Sequence, residues 1–237
     1  LLVNTMIEVN PPLRIIALDI ETANLDMEAE GLKFDDPTGW QTAVVCIHNH
    51  YTDRDNVYVA DSMLEDIRHR CARLRYDTKI HAFSMMPYHL RRWRNEGYLL
   101  LTHNGLGFDF PIMQKCVKDG GVGQVKSLLD KWPKNQMMDT CAVFTATTGV
   151  RYRLNHLIHG LLGEDESKLM DAANAPKEWA KKNYEEVIRY CIDDCRKTAQ
   201  VYLKAGEEGE FRAIGKDEYR TVPINEYYTT WVKSQEV

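Results

Sequence analysis

Five side chains in this sequence have types and spacings that could do chemistry together. Asp19 and Glu21 stand one residue apart at the end of the apolar run Arg14 to Ile20, in RIIALDIETANLD. Alternate residues of a strand share a face, so on a strand the two negative charges lie side by side. Tyr190 and Asp194, in YCIDD, are spaced i and i+4, which on a helix makes neighbours of a phenol and an acid. Asp109 closes HNGLGFD, with Asn104 and Phe108 before it. Burying four carboxylates is costly unless cations balance them. Without His or Cys partners they suit hard cations such as Mg2+ or Mn2+. Two such ions about 4 Å apart form a clamp for in-line displacement at a phosphodiester. One ion activates the attacking water and the other stabilises the leaving oxygen, while a tyrosine hydroxyl can orient that water.

Spacing alone does not select these residues. With 18 Asp and 17 Glu in the chain, chance gives roughly one Asp-x-Glu match. Two are present, Asp19/Glu21 and Asp26/Glu28. The first closes an apolar strand, whereas the second lies in a polar loop and is read as solvated. Tyr-x-x-x-Asp, expected about once, also occurs at Tyr51/Asp55, across a turn where the spacing has no geometric meaning. Asn-x-x-x-Phe-Asp is the informative pattern, since chance supplies it only about 0.02 times.

These residues need elements to hold them. Arg14 to Ile20 reads as a buried strand, followed by a polar loop from Ala23 to Gly39. TAVVCIHNHY and NVYVAD read as strands joined by a hairpin turn at TDRD. A helix over Met63 to Tyr76, a less defined segment over Ile80 to Asn95 and a short strand in GYLLLTHNG follow. FPIMQKCVKDG reads as a helix ending at Gly120 and Gly121, MMDT as a short strand leading into a helix, and RLNHLIHGLLG as a helix closed by Gly163. NYEEVIRYCIDDCRKTAQVYLKAG is a long helix with Val187, Tyr190 or Cys191, Asp194 and Thr198 on one face, stopped by Gly206. Strands first, then strands alternating with helices, give an α/β domain with a mixed sheet and helices on its faces.

The 237 residues and 44% hydrophobic content allow one large domain or one domain with a small appendage. No run approaches the roughly 18 to 20 apolar residues that span a bilayer, and the first residues lack a signal-peptide pattern. The expectation is a soluble, cytoplasmic protein with no membrane partner. The six cysteines form no CxxC pair, which argues against zinc and against a disulfide framework; reduced core or surface thiols are expected. The net charge of −5 disfavours a non-specific polyanion coater but leaves local patches open. RHRCARLR (Arg68 to Arg75) and HLRRWRNEG (His89 to Gly97) are either such patches or ordinary solvated helix faces. The second, with Trp93 among its arginines, is a candidate groove for a nucleic-acid strand.

LDIET, HNGLGFD and YCIDD, in this order, resemble the three exonuclease motifs of the DEDD superfamily of 3′–5′ exonucleases. Tyr190 four residues before Asp194 resembles the DEDDy branch, which includes polymerase proofreading domains and RNase D-like enzymes. The DEDDh branch has a His five residues before the aspartate, where this chain has Arg189. The resemblance covers roughly Arg14 to Ala205. It implies a ribonuclease H-like fold, a mixed central sheet with helices on both faces, and two divalent cations, Mg2+ or Mn2+. Asp19 would bridge both ions, Glu21 and Asp194 complete the first site, Asp109 hold the second, and Tyr190 position the nucleophile. Asn104 and Phe108, with the backbone at Ile20 and Thr22, would meet the substrate's terminal nucleotides. The implied activity is hydrolysis at the free 3′ end of single-stranded nucleic acid, DNA ahead of RNA, releasing nucleoside 5′-monophosphates. The alternative is a non-catalytic nucleic-acid-binding or scaffold module that keeps the fold.

Other polar residues take simpler roles. Asp193 turns about 100° from Asp194 on the helix and is read as exposed or salt-bridged. Asp139, which also stands at a family-like position, is read as the cap of the following helix, Lys168 as a surface lysine ahead of a phosphate contact, and His103 as a packing residue or one that supports the site. The other histidines considered, His48, His50, His81, His89, His156 and His159, form no metal-ligand spacing. The nuclease domain is expected over 1–206, with the tail 207–237 packed on its surface.

Overall fold

The computed structural model describes residues 14–26, 28–33, 36, 39–116, 122–163, 169–215 and 219–223. The strands are β1 (Ile15–Thr22), β2 (Thr42–Asn49), β3 (Arg54–Val59), β4 (Lys79–Ala82), β5 (Leu99–Thr102), β6 (Met137–Asp139), β7 (Glu210–Ile214) and β8 (Tyr219–Pro223). The helices are α1 (Leu64–Arg70), α2 (Met86–Asn95), α3 (Phe110–Cys116), α4 (Val122–Asp130), α5 (Thr140–Thr148), α6 (Leu154–Leu161), α7 (Ala175–Ala180) and α8 (Tyr184–Glu208). Six strands form one sheet in the order β4-β3-β2-β1-β5-β6, and β7 and β8 form a separate hairpin. Only β2 runs against its neighbours; β1, β5 and β6 pair in parallel, as do β3 and β4. The result is the expected mixed α/β sheet.

The central strands are apolar on both faces because helices cover both. Ile15, Ala17, Val44, Cys46, Val57, Val59, Leu99 and Leu101 meet the layer containing α1 and α5 to α8. Ile16, Leu18, Ile20, Val45, Ile47, Tyr58 and Leu100 meet α2, α3 and α4. Each fully buried aliphatic side chain contributes about 1.5–3 kcal/mol, which is what lets β1 carry polar residues at its end.

Some boundaries differ from the sequence expectation. α1 ends at Arg70, where Cys71 leaves helical geometry and a turn begins. α8 runs through Gly206 and stops at Gly209, whose φ of 78° places it in the left-handed region. A glycine inside a helix only lowers its propensity; the left-handed cap is what ends it. The beginning of the expected tail is therefore the last turn of α8. The hairpin after it packs on α6 and α8, with Phe211, Ala213 and Val222 buried in the larger core cluster. The expected helix end at Gly120 and Gly121 lies outside the described residues.

Candidate active site

Asp19 and Glu21 project from the face of β1 that carries Ile15 and Ala17, the face under α8. Glu21 is buried and Asp19 half-buried. Between Glu21 and Thr22 the pairing with β2 slips, so that Glu21 faces Val44 and Thr22 faces Thr42. Such an irregularity at a strand end re-aims the side chains beside it. Ile20 points the other way, into the cluster with Trp40 and the partly buried Phe108. Asp26 and Glu28, the second Asp-x-Glu pair, are exposed, and Asp26 Oδ1 accepts the N–H groups of Glu28 and Ala29 in a local turn.

The second motif is a single π-helical turn, Gly105–Asp109, between β5 and α3. Its glycines are dictated by space: a Cβ on Gly105 would lie 2.6 Å from the Thr102 side chain, and one on Gly107 would lie 2.9 Å from Asn104 Oδ1. Asn104 enters the turn with φ 70°, a conformation Asn tolerates better than most residues. The turn packs against β1 and leaves Asp109 buried at its end. Phe108 stands edge-on to Trp40 with ring centroids 5.1 Å apart. Asp139 anchors this segment: Oδ1 accepts the Asn104 N–H at 2.8 Å and Oδ2 the Leu106 N–H at 2.9 Å. Oδ1 also accepts from Cys141 and Ala142, capping α5 as the sequence suggested. His103 bridges Thr140 Oγ1 and the Tyr152 carbonyl. Arg151, missed in the sequence, is exposed and donates to Asn104 Oδ1 at 2.7 Å. The 47-residue gap between the two left no local pattern to find it by.

α8 supplies the third motif. Tyr190, Cys191 and Asp194 are all buried on its sheet-facing side. Burial raises the Tyr190 hydroxyl far above the usual phenol range, and the charges of Asp194, Glu21 and Asp19 and a hydrogen bond with Asp194 raise it further. Cys191 Sγ–H points at the Asp19 backbone oxygen (3.5 Å) and at Asp19 Oδ2 (3.8 Å). The helix is pinned lengthwise by Arg196, which donates to Asp55 Oδ2 and Asp53 Oδ1, both at 2.9 Å. Asp55 is itself buried and paired with His48 Nδ1 at 2.9 Å, so the Tyr51/Asp55 match is structural. Asp193 is only partly buried, one position off that face.

Asp19, Glu21 and Cys191 offer ligand atoms that all lie within 4.8 Å of one another. Among the described residues this is the one group of three or more such ligands that close; no histidine belongs to it. Two acidic side chains and a thiol grouped this closely, one half-buried and two buried, fit a divalent cation, since carboxylates held near each other favour a positive charge between them. Asp194, buried on α8, and Asp109, buried in the turn against β1, do not belong to this group.

The basic segments behave differently from the groove considered for His89 to Gly97. Trp93 is 8% exposed within the smaller core cluster and is not available to stack on a base. Arg92 pairs with Glu96 at 2.7 Å. α2 also ends beside the start of β1, where Arg14 donates to the Glu96 carbonyl. The carboxylates lie at the other end of that strand. In RHRCARLR, Arg68, Arg70 and Arg75 pair with Glu65, Asp66 and Asp77. Lys168 lies outside the described residues. The five cysteines with described side chains are buried free thiols, and among the described residues no helix is long and apolar enough to cross a membrane.

No curated protein matches the chain in sequence. In fold, 115 solved chains match it. One is the Neurospora crassa Pan2 catalytic unit (protease and nuclease domain), 15% identical, with a TM-score of 0.46 over 86% of this chain and 29% of that one. This chain thus spans less than a third of the length of that structure. The sequence pattern of the RNase H superfamily matches residues 18–205, a stretch that opens immediately before Asp19 and closes beyond Asp194. With most of its length inside that match, and its mixed sheet carrying the acidic cluster on the first strand, the chain belongs to the RNase H superfamily.

Proposed function

We propose that the chain is a metal-dependent 3′–5′ exonuclease of the DEDDy type, acting on the 3′ end of single-stranded nucleic acid, DNA ahead of RNA. The observation that carries this reading is the meeting of Tyr190 with Asp19, Glu21 and Asp194: one neutral phenol lies in the field of three acids. Superfamily membership supports a nuclease, and the ordered motifs support this branch of it. Divalent cations, when bound, supply Lewis-acid stabilisation of the charge that develops on the phosphate and leaving oxygens.

The protein's own groups then have distinct tasks. Asp19, Glu21 and Asp194 would hold one cation, and Asp109 together with Asp19 would hold a second. The Tyr190 O–H orients the attacking water by a hydrogen bond rather than removing its proton, because its surroundings keep it protonated. Water oxygen bonds to phosphorus and its proton passes to solvent, the bond from phosphorus to the upstream O3′ breaks, that oxygen takes up a proton from solvent, and a nucleoside 5′-monophosphate leaves. Asn104, Phe108 and the backbone at Ile20 and Thr22 receive the terminal nucleotides, with the exposed Arg151 beside Asn104 as an added cation. Residues 1–206 carry the activity, the hairpin β7–β8 supports it by packing on the same domain, and residues 224–237 of the expected tail lie outside the described residues.

The test uses end-labelled single-stranded DNA and RNA with Mg2+ or Mn2+, with and without chelator. Stepwise 3′ shortening should depend on metal and fall at least about 10³-fold in Asp19→Ala, a loss of roughly 4 kcal/mol in the barrier. Mn2+ should also raise the melting temperature by ligand linkage, and less so in Asp19→Ala. Binding without cleavage under every metal condition would sink the reading in favour of a non-catalytic module.

A further inference from the structure

One side chain of α8 with metal-ligating chemistry that reaches the Asp19 carboxylate is a thiol. Cys191 Sγ lies 3.8 Å from Asp19 Oδ2, with Glu21 in the same group of ligand atoms within 4.8 Å. In a tetrahedral zinc-type site, bonds of about 2.3 Å to sulfur and 2.0 Å to oxygen place S and O roughly 3.5 Å apart. The observed spacing is thus within a small side-chain adjustment of a ligand set. The other two thiols nearby do not share this aim: Cys195 Sγ–H donates to the Cys46 backbone oxygen at 3.3 Å, and neither belongs to the group of close ligand atoms.

We propose that Cys191, Asp19 and Glu21 form a thiolate-containing site for a thiophilic divalent cation of the zinc and cadmium class. The hard cations Mg2+ and Mn2+ bind there through oxygen and leave the thiol protonated, because they gain little from sulfur. A thiophilic cation forms a metal–sulfur bond at Cys191, the S–H bond breaks, and the proton passes to solvent. No oxidant or reductant is involved. Buried beside two acids, the thiol does not ionise on its own; the incoming dication is what makes the thiolate tolerable. Because the two modes share Asp19 and Glu21, they are mutually exclusive. Under the proposed function, on which this consequence rests, zinc-class ions act as tight inhibitors displaced only by excess Mg2+ or Mn2+.

The experiment is a titration of the full, metal-free, reduced chain with Co2+ and Cd2+, read by near-ultraviolet absorption. A sulfur-to-metal charge-transfer band should appear at one equivalent, survive in Cys195→Ser and vanish in Cys191→Ser. Competition should give Cys191→Ser at least about a tenfold weaker affinity for Zn2+, a loss of the size typical for a metal-site partner, with Mn2+ affinity changed by less than about threefold. Should Cys191→Ser melt early, Cys191→Ala serves as the second variant, with folding checked by circular dichroism. No band in the wild type, or a band that persists in both Cys191 variants, overturns the proposal. The band does not depend on turnover, so a band without Mn2+-dependent cleavage would condemn the exonuclease reading and leave the thiolate site standing.

Discussion

The Asp139 carboxylate accepts the backbone N–H of Asn104 at 2.8 Å across 35 residues of sequence. Together with its bonds to Leu106, Cys141 and Ala142, this makes one acid the joint between β5, the turn that carries Phe108 and Asp109, and α5. Removing it takes away a helix cap worth about 1 kcal/mol and charge-assisted bonds worth about 1.5–3 kcal/mol. Asp139→Ala should therefore destabilise by about 2–4 kcal/mol, lowering Tm by roughly 5–15 °C for a chain of this size. Asp139→Asn keeps one acceptor oxygen and should fall between. Melting curves followed by circular dichroism decide it; a shift under about 2 °C in the Ala variant would remove the anchoring role.

Tyr190 offers a test that separates orientation from proton transfer. Burial is the largest cause that keeps its hydroxyl protonated, and in the metal-free protein three neighbouring acids raise it further. Tyr190→Phe deletes only that O–H. It should lower kcat about 10²-fold, the low end of what a positioned group contributes, with KM within about threefold. The alkaline side of the pH–rate profile should keep its shape, because a group that stays neutral produces no limb there. A wild-type kcat in Tyr190→Phe would end the orienting role. Loss of an alkaline limb in the variant would mean the phenol titrates after all.

Much of this arrangement is legible in the sequence because each motif sits on an element with strong periodicity. β1 announces itself by an unbroken apolar run, and α8 by positions at three- and four-residue intervals, so the elements that carry Asp19, Tyr190 and Asp194 are legible, while the grouping of these residues rests on the resemblance of the ordered motifs. Asp109 follows from a rare combination with Asn104 and Phe108. The misses are long-range. In sequence Cys191 is one of several reduced core or surface thiols, because its contact with Asp19 crosses 172 residues. Arg196 and Asp55 are joined across 141, and Arg151 reaches Asn104 from beyond α5. Trp93 shows the converse error: a basic, aromatic segment resembles a binding groove in sequence, yet its tryptophan faces inward to fill the space under α2.

His81 predicts a pH dependence of stability. Its pKa is pushed down to about 4 by burial first, then by the neighbouring charge of His89, Arg68 and Lys79. The ring stacks on Tyr58 with centroids 5.4 Å apart, and its buried Nε2 has no hydrogen-bond partner among the described residues. His89, which shares a 2.7 Å hydrogen bond with Tyr58, is shifted the same way by burial and Arg92. A depressed folded-state pKa means the stabilisation is complete above the unfolded value of 6.5 and is lost as pH falls toward about 4. Tm should therefore decline across that window, and His81→Asn should flatten the slope. The ring is half-exposed, so solvent screening keeps the effect modest. A slope unchanged by His81→Asn would assign the decline to other groups.

Gly160 tests whether the hairpin β7–β8 belongs to the domain that holds the site. A Cβ at this position in α6 would lie 2.5 Å from the Arg212 backbone oxygen and 2.7 Å from its carbonyl carbon. Backbone cannot swing aside as a side-chain tip can, so Gly160→Ala must lift β7 from α6 and loosen Phe211, Ala213 and Val222 in the core. Overpacking of this kind costs about 1–3 kcal/mol, and Phe211→Ala, which empties the same contact, about 3–5 kcal/mol. Phe211 meets α8 at Tyr202, and from Asp194 to Tyr202 the helix rises roughly 12 Å at 1.5 Å per residue. The strain therefore should not reach the carboxylates while the protein stays folded. Assayed well below Tm, the Gly160→Ala protein should keep its cleavage rate per folded molecule within about twofold, because sites this far apart add independently. A rate that falls much further than the folded fraction would place the hairpin in the working site rather than in its support.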